Sequence, residues 1–178
     1  MKNVLIISSS LRPVSNSHIL ADAFARGAKE AGNNVEMVSL RGKDLKFCIG
    51  CLSCFKTGKC VIKDDALEIV GKIHDADVVV LATPIYYYGI SGQLKTLIDR
   101  ANPLYHGDYK FTDVYLLTSA ESADPDAIHK PIVAVQGWLD CFERAHLAGT
   151  VFAGGVDKPG EIEGHPSLEK AYQMGNAI

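Results

Sequence analysis

Val4-Leu5-Ile6-Ile7, followed at once by Ser8-Ser9-Ser10-Leu11-Arg12-Pro13-Val14-Ser15-Asn16-Ser17, decides how the chain is read. Four consecutive apolar residues suit a strand covered on both faces. Beyond the hydroxyl-rich turn, Leu20, Phe24, Gly27 and Ala31 recur at intervals of 4, 3 and 4, the stripe of a helix that ends near Gly32-Asn33-Asn34. The stretch is therefore a strand-to-helix turn. Such a turn aims free backbone N–H groups and the positive end of a helix dipole at one point, where an anion fits. Ser9, Ser10, Ser15, Asn16 and Ser17 surround that point, and Arg12 is the only charge among them. That set suits a phosphate monoester held without covalent chemistry. A Ser-rich turn with an ordinary N-cap at Ser15 or Ser17 would use the same residues.

Working outward, Val35 to Leu40 reads as a second strand, and Arg41 to Lys63 as an irregular excursion rich in Gly and Cys. Asp64-Asp65 opens a helix whose Ala66, Ile69, Val70 and Ile73 face inward. Ala76 to Thr83 is a third strand, stopped by Pro84, with Ile85-Tyr86-Tyr87-Tyr88-Gly89 as the loop at its carboxyl end. Ser91 caps a helix with Leu94, Leu97, Ile98 and Ala101 on its inner face. Val114 to Leu117 is a fourth strand with Thr118-Ser119-Ala120-Glu121 beyond it. Ile128, Ile132, Val135, Leu139 and Phe142 then mark one long helix, on whose inner side Cys141 is a small core residue. Thr150 to Ala153 and a short helix from Ser167 to Met174 close the chain. No repeat or linker interrupts it, so residues 1–178 read as one domain with a Cys-rich insertion at 41–63.

Five strands alternating with helices predict a doubly wound α/β fold, a parallel sheet with helices on both faces. In the flavodoxin-like strand order 2-1-3-4-5, ligands bind where the order reverses, at the ends of the first and third strands. Those ends carry Ser8 to Ser17 and Thr83 to Gly89. A ligand with a phosphate and a large planar ring satisfies both loops, the ring against Tyr86, Tyr87 or Tyr88, and FMN has that shape. A subunit interface is the other use of three tyrosines in one loop.

The net charge of −3 offers no basic field for nucleic acid, and 47% hydrophobic with 22% charged residues is ordinary for a globular chain. No apolar run approaches membrane length, and the few residues before Val4 make no secretory segment, so a cytoplasmic protein with reduced thiols is expected. Other uses of the fold lack their residues. A receiver domain needs acidic residues where Ser8-Ser9-Ser10 stand, a low-molecular-weight phosphatase needs a Cys in the first turn, and neither a P-loop nor G-x-G-x-x-G is present. The six histidines are scattered and are assigned no chemistry.

Cys48, Cys51, Cys54 and Cys60 follow C-x2-C-x2-C-x5-C. Four thiolates this close suit one [4Fe-4S] cluster, with Gly50 and Gly58 letting backbone amides approach the sulfurs. Free thiols remain a second reading of the same loop, and a zinc clasp, which usually asks for two separated pairs, a third. Asp99-Arg100 reads as structural, and Lys95 as a solvated lysine.

Ser9-Ser10-Leu11-Arg12 with Asn16-Ser17, the run from Cys48 through Gly58-Lys59-Cys60-Val61-Ile62-Lys63-Asp64-Asp65, and Pro84-Ile85-Tyr86-Tyr87-Tyr88-Gly89 through Asp99-Arg100 together resemble the NAD(P)H-dependent FMN reductases of flavodoxin-like fold. The cysteine spacing is similar to that of the iron-sulfur flavoproteins among them. The resemblance implies FMN at the strand ends, reduction by NAD(P)H or a ferredoxin-like carrier, a small-molecule acceptor, and a homodimer or homotetramer. It implies phosphate contacts from Ser10, Arg12, Asn16 and Ser17, with Ser9 where relatives often have Gly. Pro84 to Gly89 would wrap the ring and ribityl chain. Ser119-Ala120 stands where relatives commonly have a Gly, and Phe47 where a Pro often precedes the first Cys. The expected activity is an FMN oxidoreductase in which no side chain is a nucleophile or base. The rival is a flavin-binding electron carrier that turns over no nicotinamide.

Overall fold

The computed structural model describes all of residues 1–178. β1 (Asn3–Ser8), β2 (Asn34–Ser39), β3 (Val78–Tyr86), β5 (Asp113–Ser119) and β6 (His146–Ala153) form a parallel sheet in the order β2-β1-β3-β5-β6, and a two-residue β4 (Gly89–Ile90) pairs antiparallel with the end of β3. The sheet thus has six strands where five are expected; the five parallel ones keep the flavodoxin-like order. Leu5 and Ile7 of β1 with Val79 and Leu81 of β3 enter one core, shared with α3 (Ala66–Asp75), α4 (Gly92–Arg100) and α5 (His129–Leu139). Val4, Ile6, Val78, Val80 and Ala82 enter the other, shared with α1 (Asn16–Glu30) and α6 (Pro166–Asn176). Covering both faces is why these strands carry no polar alternation.

α1 and α6 cross at backbone distance. A Cβ on Gly27 would lie 2.0 Å from the Tyr172 carbonyl oxygen, and one on Gly175 would lie 2.1 Å from that of Phe24. Only glycine admits this approach, and it brings α6 down over α1.

Four boundaries depart from the sequence reading. Pro84 does not stop β3, which continues to Tyr86. β1 pairs with β3 only as far as Ser8 opposite Ala82, so the missing N–H of Pro84 lies past the shared stretch, where it interrupts no ladder on that side. The excursion 41–63 contains a short helix, α2 (Ser53–Thr57). The long helix is shorter than its periodicity suggests: a 3-10 turn (Pro125–Ile128) precedes α5, which ends at Leu139. Phe142 is buried from the following turn, and Cys141 is exposed rather than a core residue. β6 begins at His146, four residues early, because its first half is a partly exposed edge without the apolar run that marks central strands.

Candidate functional site

The carboxyl ends of β1 and β3 lie side by side, and α1 starts between them. Ser15 is the N-cap, extended at φ −129° and ψ 129°, and its Oγ accepts from the His18 N–H at 3.4 Å. The backbone N–H groups of Ser10, Leu11, Ser15, Asn16 and Ser17 find no acceptor in the protein. No acidic side chain occupies the first turn of α1. A helix start left open in this way attracts negative charge.

The side chains divide into two groups. Ser10, Arg12, Ser15 and Asn16 line a cleft whose other wall is Pro84, Ile85, Tyr86 and Ser119. Ser9 and Ser17 are fully buried behind it. The Ser9 hydroxyl accepts a 2.8 Å bond from Ser91 Oγ, its N–H donates to the Ala82 carbonyl, and Ser17 Oγ sits 3.1 Å from Ser15 Oγ. Ser9 and Ser17 therefore shape the turn. Ser91, besides holding Ser9, caps α4 through Leu94 N–H and donates its own N–H to Thr83 Oγ1 at 3.1 Å.

A third wall escapes the sequence reading. Arg12 Nη1 donates to the Asp157 carbonyl at 2.5 Å, and its Nη2 lies 3.7 Å from the Asp157 carboxylate. Asn16 Nδ2 donates to the Lys158 carbonyl at 3.0 Å, and its Oδ1 accepts from the Ile162 N–H at 3.3 Å. The segment after β6 is thus strapped across the start of α1, with Val156 and Asp157 on the cleft. Gly154-Gly155 and Pro159-Gly160 are its only local signals, and neither names a partner.

The tyrosines form a hairpin rather than an open loop. Ile85 pairs with Ile90 and Tyr86 with Gly89, leaving Tyr87 (φ 48°) and Tyr88 (φ 60°) as the two left-handed residues of a tight turn. Asn and Gly are usual there, and each bulky residue costs about 1–3 kcal/mol of strain. Tyr86 faces the cleft, Tyr87 is wholly exposed, and Lys130 Nζ stands 5.4 Å from the Tyr88 ring centre. The cleft holds about 240 Å³. That is at or below the small end for cofactor pockets, so a ligand the size of FMN leaves part of its ring outside.

The cysteine excursion is tied at its neck. Arg100, 2% exposed, donates to the Asp64 carboxylate at 2.5 and 2.9 Å, to the Lys46 carbonyl at 2.8 Å and to the Ile62 carbonyl at 3.0 Å. Lys46 precedes the first clustered cysteine and Ile62 follows the last. Burial pushes the Asp64 carboxyl up, but the Arg100 hydrogen bond, the Lys46 and Ala66 N–H groups and the Arg100 charge outweigh it and hold its pKa below the ordinary value. The Asp64 hydrogen bond, followed after the opposing effect of burial by the Cys60 thiol, pushes Arg100 up. Sequence reading made Asp99-Arg100 structural, and the partner is Asp64; Lys95 pairs with Asp99 in solvent.

Cys48, Cys51, Cys54 and Cys60 all line one narrow recess of about 20 Å³, together with Arg100 and Asn102. No three of their thiols, with or without His, Asp or Glu, converge as one ion requires. Four cysteines are nonetheless the donor chemistry of an iron-sulfur cluster. Gly50 (φ 66°) and Gly58 (φ 69°) turn the loop, but the Gly58 N–H is spent on the Cys54 carbonyl, capping α2, and not on a sulfur. A separate cavity of about 670 Å³ lies between α2, α3 and the 3-10 turn Asn102–His106. No helix is long and apolar enough to cross a membrane.

A parallel sheet in this order, with an open helix start and an aromatic hairpin at its switch point, defines a flavodoxin-like α/β protein built for a phosphate-bearing planar ligand. The family model described as NADPH-dependent FMN reductase matches residues 2–154, and the chain belongs to that family. An iron-sulfur flavoprotein of Archaeoglobus fulgidus is 31% identical over 100% of this chain and 79% of its own length. One from Methanocaldococcus jannaschii is 44% identical over 57% of this chain and 52% of its own, so the match to that relative spans about half its length. The crystal structure of an azoreductase from Bacillus anthracis superposes with a TM-score of 0.75 at 22% identity, covering 100% of both chains, a likeness of fold.

Proposed function

We propose that the chain binds FMN with its phosphate at the start of α1 and its ring between Pro84–Tyr86 and Ser119, and that it passes electrons from NAD(P)H to a small acceptor. The observation that carries this reading is the set of five unpaired N–H groups at Ser10, Leu11, Ser15, Asn16 and Ser17. Ser10 and Ser15 hydroxyls complete the cradle, Arg12 supplies a cation shared with Asp157, and Tyr86 closes the ring side. Bound there, FMN supplies the hydride- and electron-accepting ring. The protein positions it, keeps acidic side chains out of the first turn of α1 and leaves an edge open to donor and acceptor. The exposed Tyr87 and Tyr88 support a second copy of the chain packing over that edge. Cys48, Cys51, Cys54 and Cys60 would hold a [4Fe-4S] cluster able to exchange single electrons, a use supported by their common recess and by the names of the relatives.

Fluorescence titration with FMN followed by anaerobic addition of NADH or NADPH tests this. Quenching that saturates near one FMN per chain, then rapid bleaching at 450 nm, is expected; the wavelength is about that of the flavin band. Failure to bind FMN overturns the reading. Binding without bleaching leaves a flavin-binding electron carrier.

A further inference from the structure

The cysteine recess has two nitrogen donors from outside the cysteine loop. Asn102, the first residue after α4 and its C-cap Ala101, directs Nδ2 at Cys54 Sγ, 3.4 Å away. Asn102 is partly buried, and sulfur is the only acceptor its amide nitrogen has. Two residues earlier, Arg100 uses Nη1 and Nη2 to hold the neck. Its Nε–H is enclosed and has no hydrogen-bond partner in the protein. Both side chains line the recess with all four cysteines. The Gly58 N–H is spent on the Cys54 carbonyl, so these side chains add donors from outside the loop.

We propose that Asn102 and Arg100 are positioning residues that set the reduction potential of the group bound by Cys48, Cys51, Cys54 and Cys60, by directing an amide N–H at the Cys54 sulfur and holding a buried guanidinium at the edge of their recess. The inference rests on the reading of that loop as an iron-sulfur site. Reduction adds one negative charge to an assembly that is already anionic in thiolates. Hydrogen-bond donors on the sulfurs and a fixed cation at its edge favour the more negative state. The donors therefore raise the potential. Arg100 does so without a protonation change of its own, because a guanidinium stays charged across the working pH range.

A second consequence concerns geometry. Arg100 is the last residue of α4 and Asn102 follows its C-cap, while the start of that helix is joined through Ser91 to the turn proposed to receive the FMN phosphate. One nine-residue helix thus touches both redox sites, its N-cap at one and its C-terminal residues at the other.

The test is anaerobic reconstitution of the full chain with ferrous iron and sulfide, as wild type, Asn102→Leu and Arg100→Lys, with iron counted and the midpoint potential titrated optically. Asn102→Leu keeps the volume and removes the donor; Arg100→Lys keeps the charge and removes Nε. Asn102→Leu is expected to bind wild-type amounts of iron, and the iron-loaded fraction of each variant to show a cluster potential shifted to more negative values, the flavin potential being unmoved. If Asn102→Leu loses iron, Asn102→Ser, too short to reach Cys54, replaces it with the same expectation. Full iron with an unshifted potential in the Asn102 variants overturns the assignment and leaves the cluster intact. A wild-type chain that takes up no iron and sulfide overturns the cluster reading, and this inference with it.

Discussion

Ser91 Oγ donates to Ser9 Oγ at 2.8 Å, across 82 residues of sequence, and both side chains are buried. The N-cap of α4 is thereby fastened to the turn that opens α1. Ser91→Ala removes a helix cap and leaves the Ser9 hydroxyl without its donor. A loss of about 2 kcal/mol is expected, the sum of a cap near 1 and a buried unsatisfied group near 1. Urea unfolding checks it, and a change under about 0.5 kcal/mol, the scatter of ordinary surface substitutions, would show the bond to be incidental.

Ser15 separates an ordinary helix cap from a phosphate cradle. Aspartate is as good an N-cap as serine, so Ser15→Asp keeps α1 stable, but it sets a carboxylate among the unpaired N–H groups. FMN affinity should fall roughly tenfold or more, on the order of 1.4 kcal/mol, while riboflavin, which lacks the phosphate, binds as before. Equal effects on both ligands would place the phosphate elsewhere.

The buried pair at the neck makes a pH-dependent contribution. The folded pKa of Asp64 lies below its ordinary value, so its stabilisation is complete above the unfolded pKa of about 3.9 and is lost as pH falls through the folded value. Asp64→Asn leaves Arg100 buried and uncompensated, and is expected to cost about 3–5 kcal/mol at neutral pH. The wild type should lose stability below about pH 4 more steeply than this variant. Parallel acid curves would remove Asp64 from the account.

At the hairpin tip the strain is removable. Tyr87→Asn with Tyr88→Gly supplies the residues that the φ values of 48° and 60° favour, and should raise stability by about 1 kcal/mol or more. If the tyrosines cover the flavin or a second subunit, the same change lowers turnover or shifts the chain toward monomer in sedimentation. A stabler variant with unchanged turnover and assembly would make the aromatic tip dispensable.

Sequence patterns reach this fold where burial is two-sided. Val78-Val79-Val80-Leu81 leaves no choice but a covered strand, and the turn from Ser8 to Ser17 announces itself by its position between that kind of strand and a helix. The patterns fail where structure rests on a distant partner. His146 to Gly149 lies on an edge and alternates too weakly to read, and Cys141 follows a helical period that ended two residues earlier. Arg12 and Asn16 look like free anion ligands until the segment from Asp157 to Ile162 arrives from far along the chain to bind them. Ser9 was legible as part of the turn, but not as the acceptor of Ser91. Asn102 carries no motif at all; only the return of α4 toward the cysteines brings it to Cys54.

Arg100 gathers Lys46, Ile62 and Asp64 into one buried knot. The fifteen residues between Lys46 and Ile62 therefore leave and rejoin the domain at nearly the same place. A segment closed in this way is a cartridge: its length and its thiols can be exchanged with little cost in loop closure, since that cost grows only slowly with length, while the sheet beneath keeps its register. One scaffold can then carry different inserts at this place without being rebuilt, the knot serving as the socket.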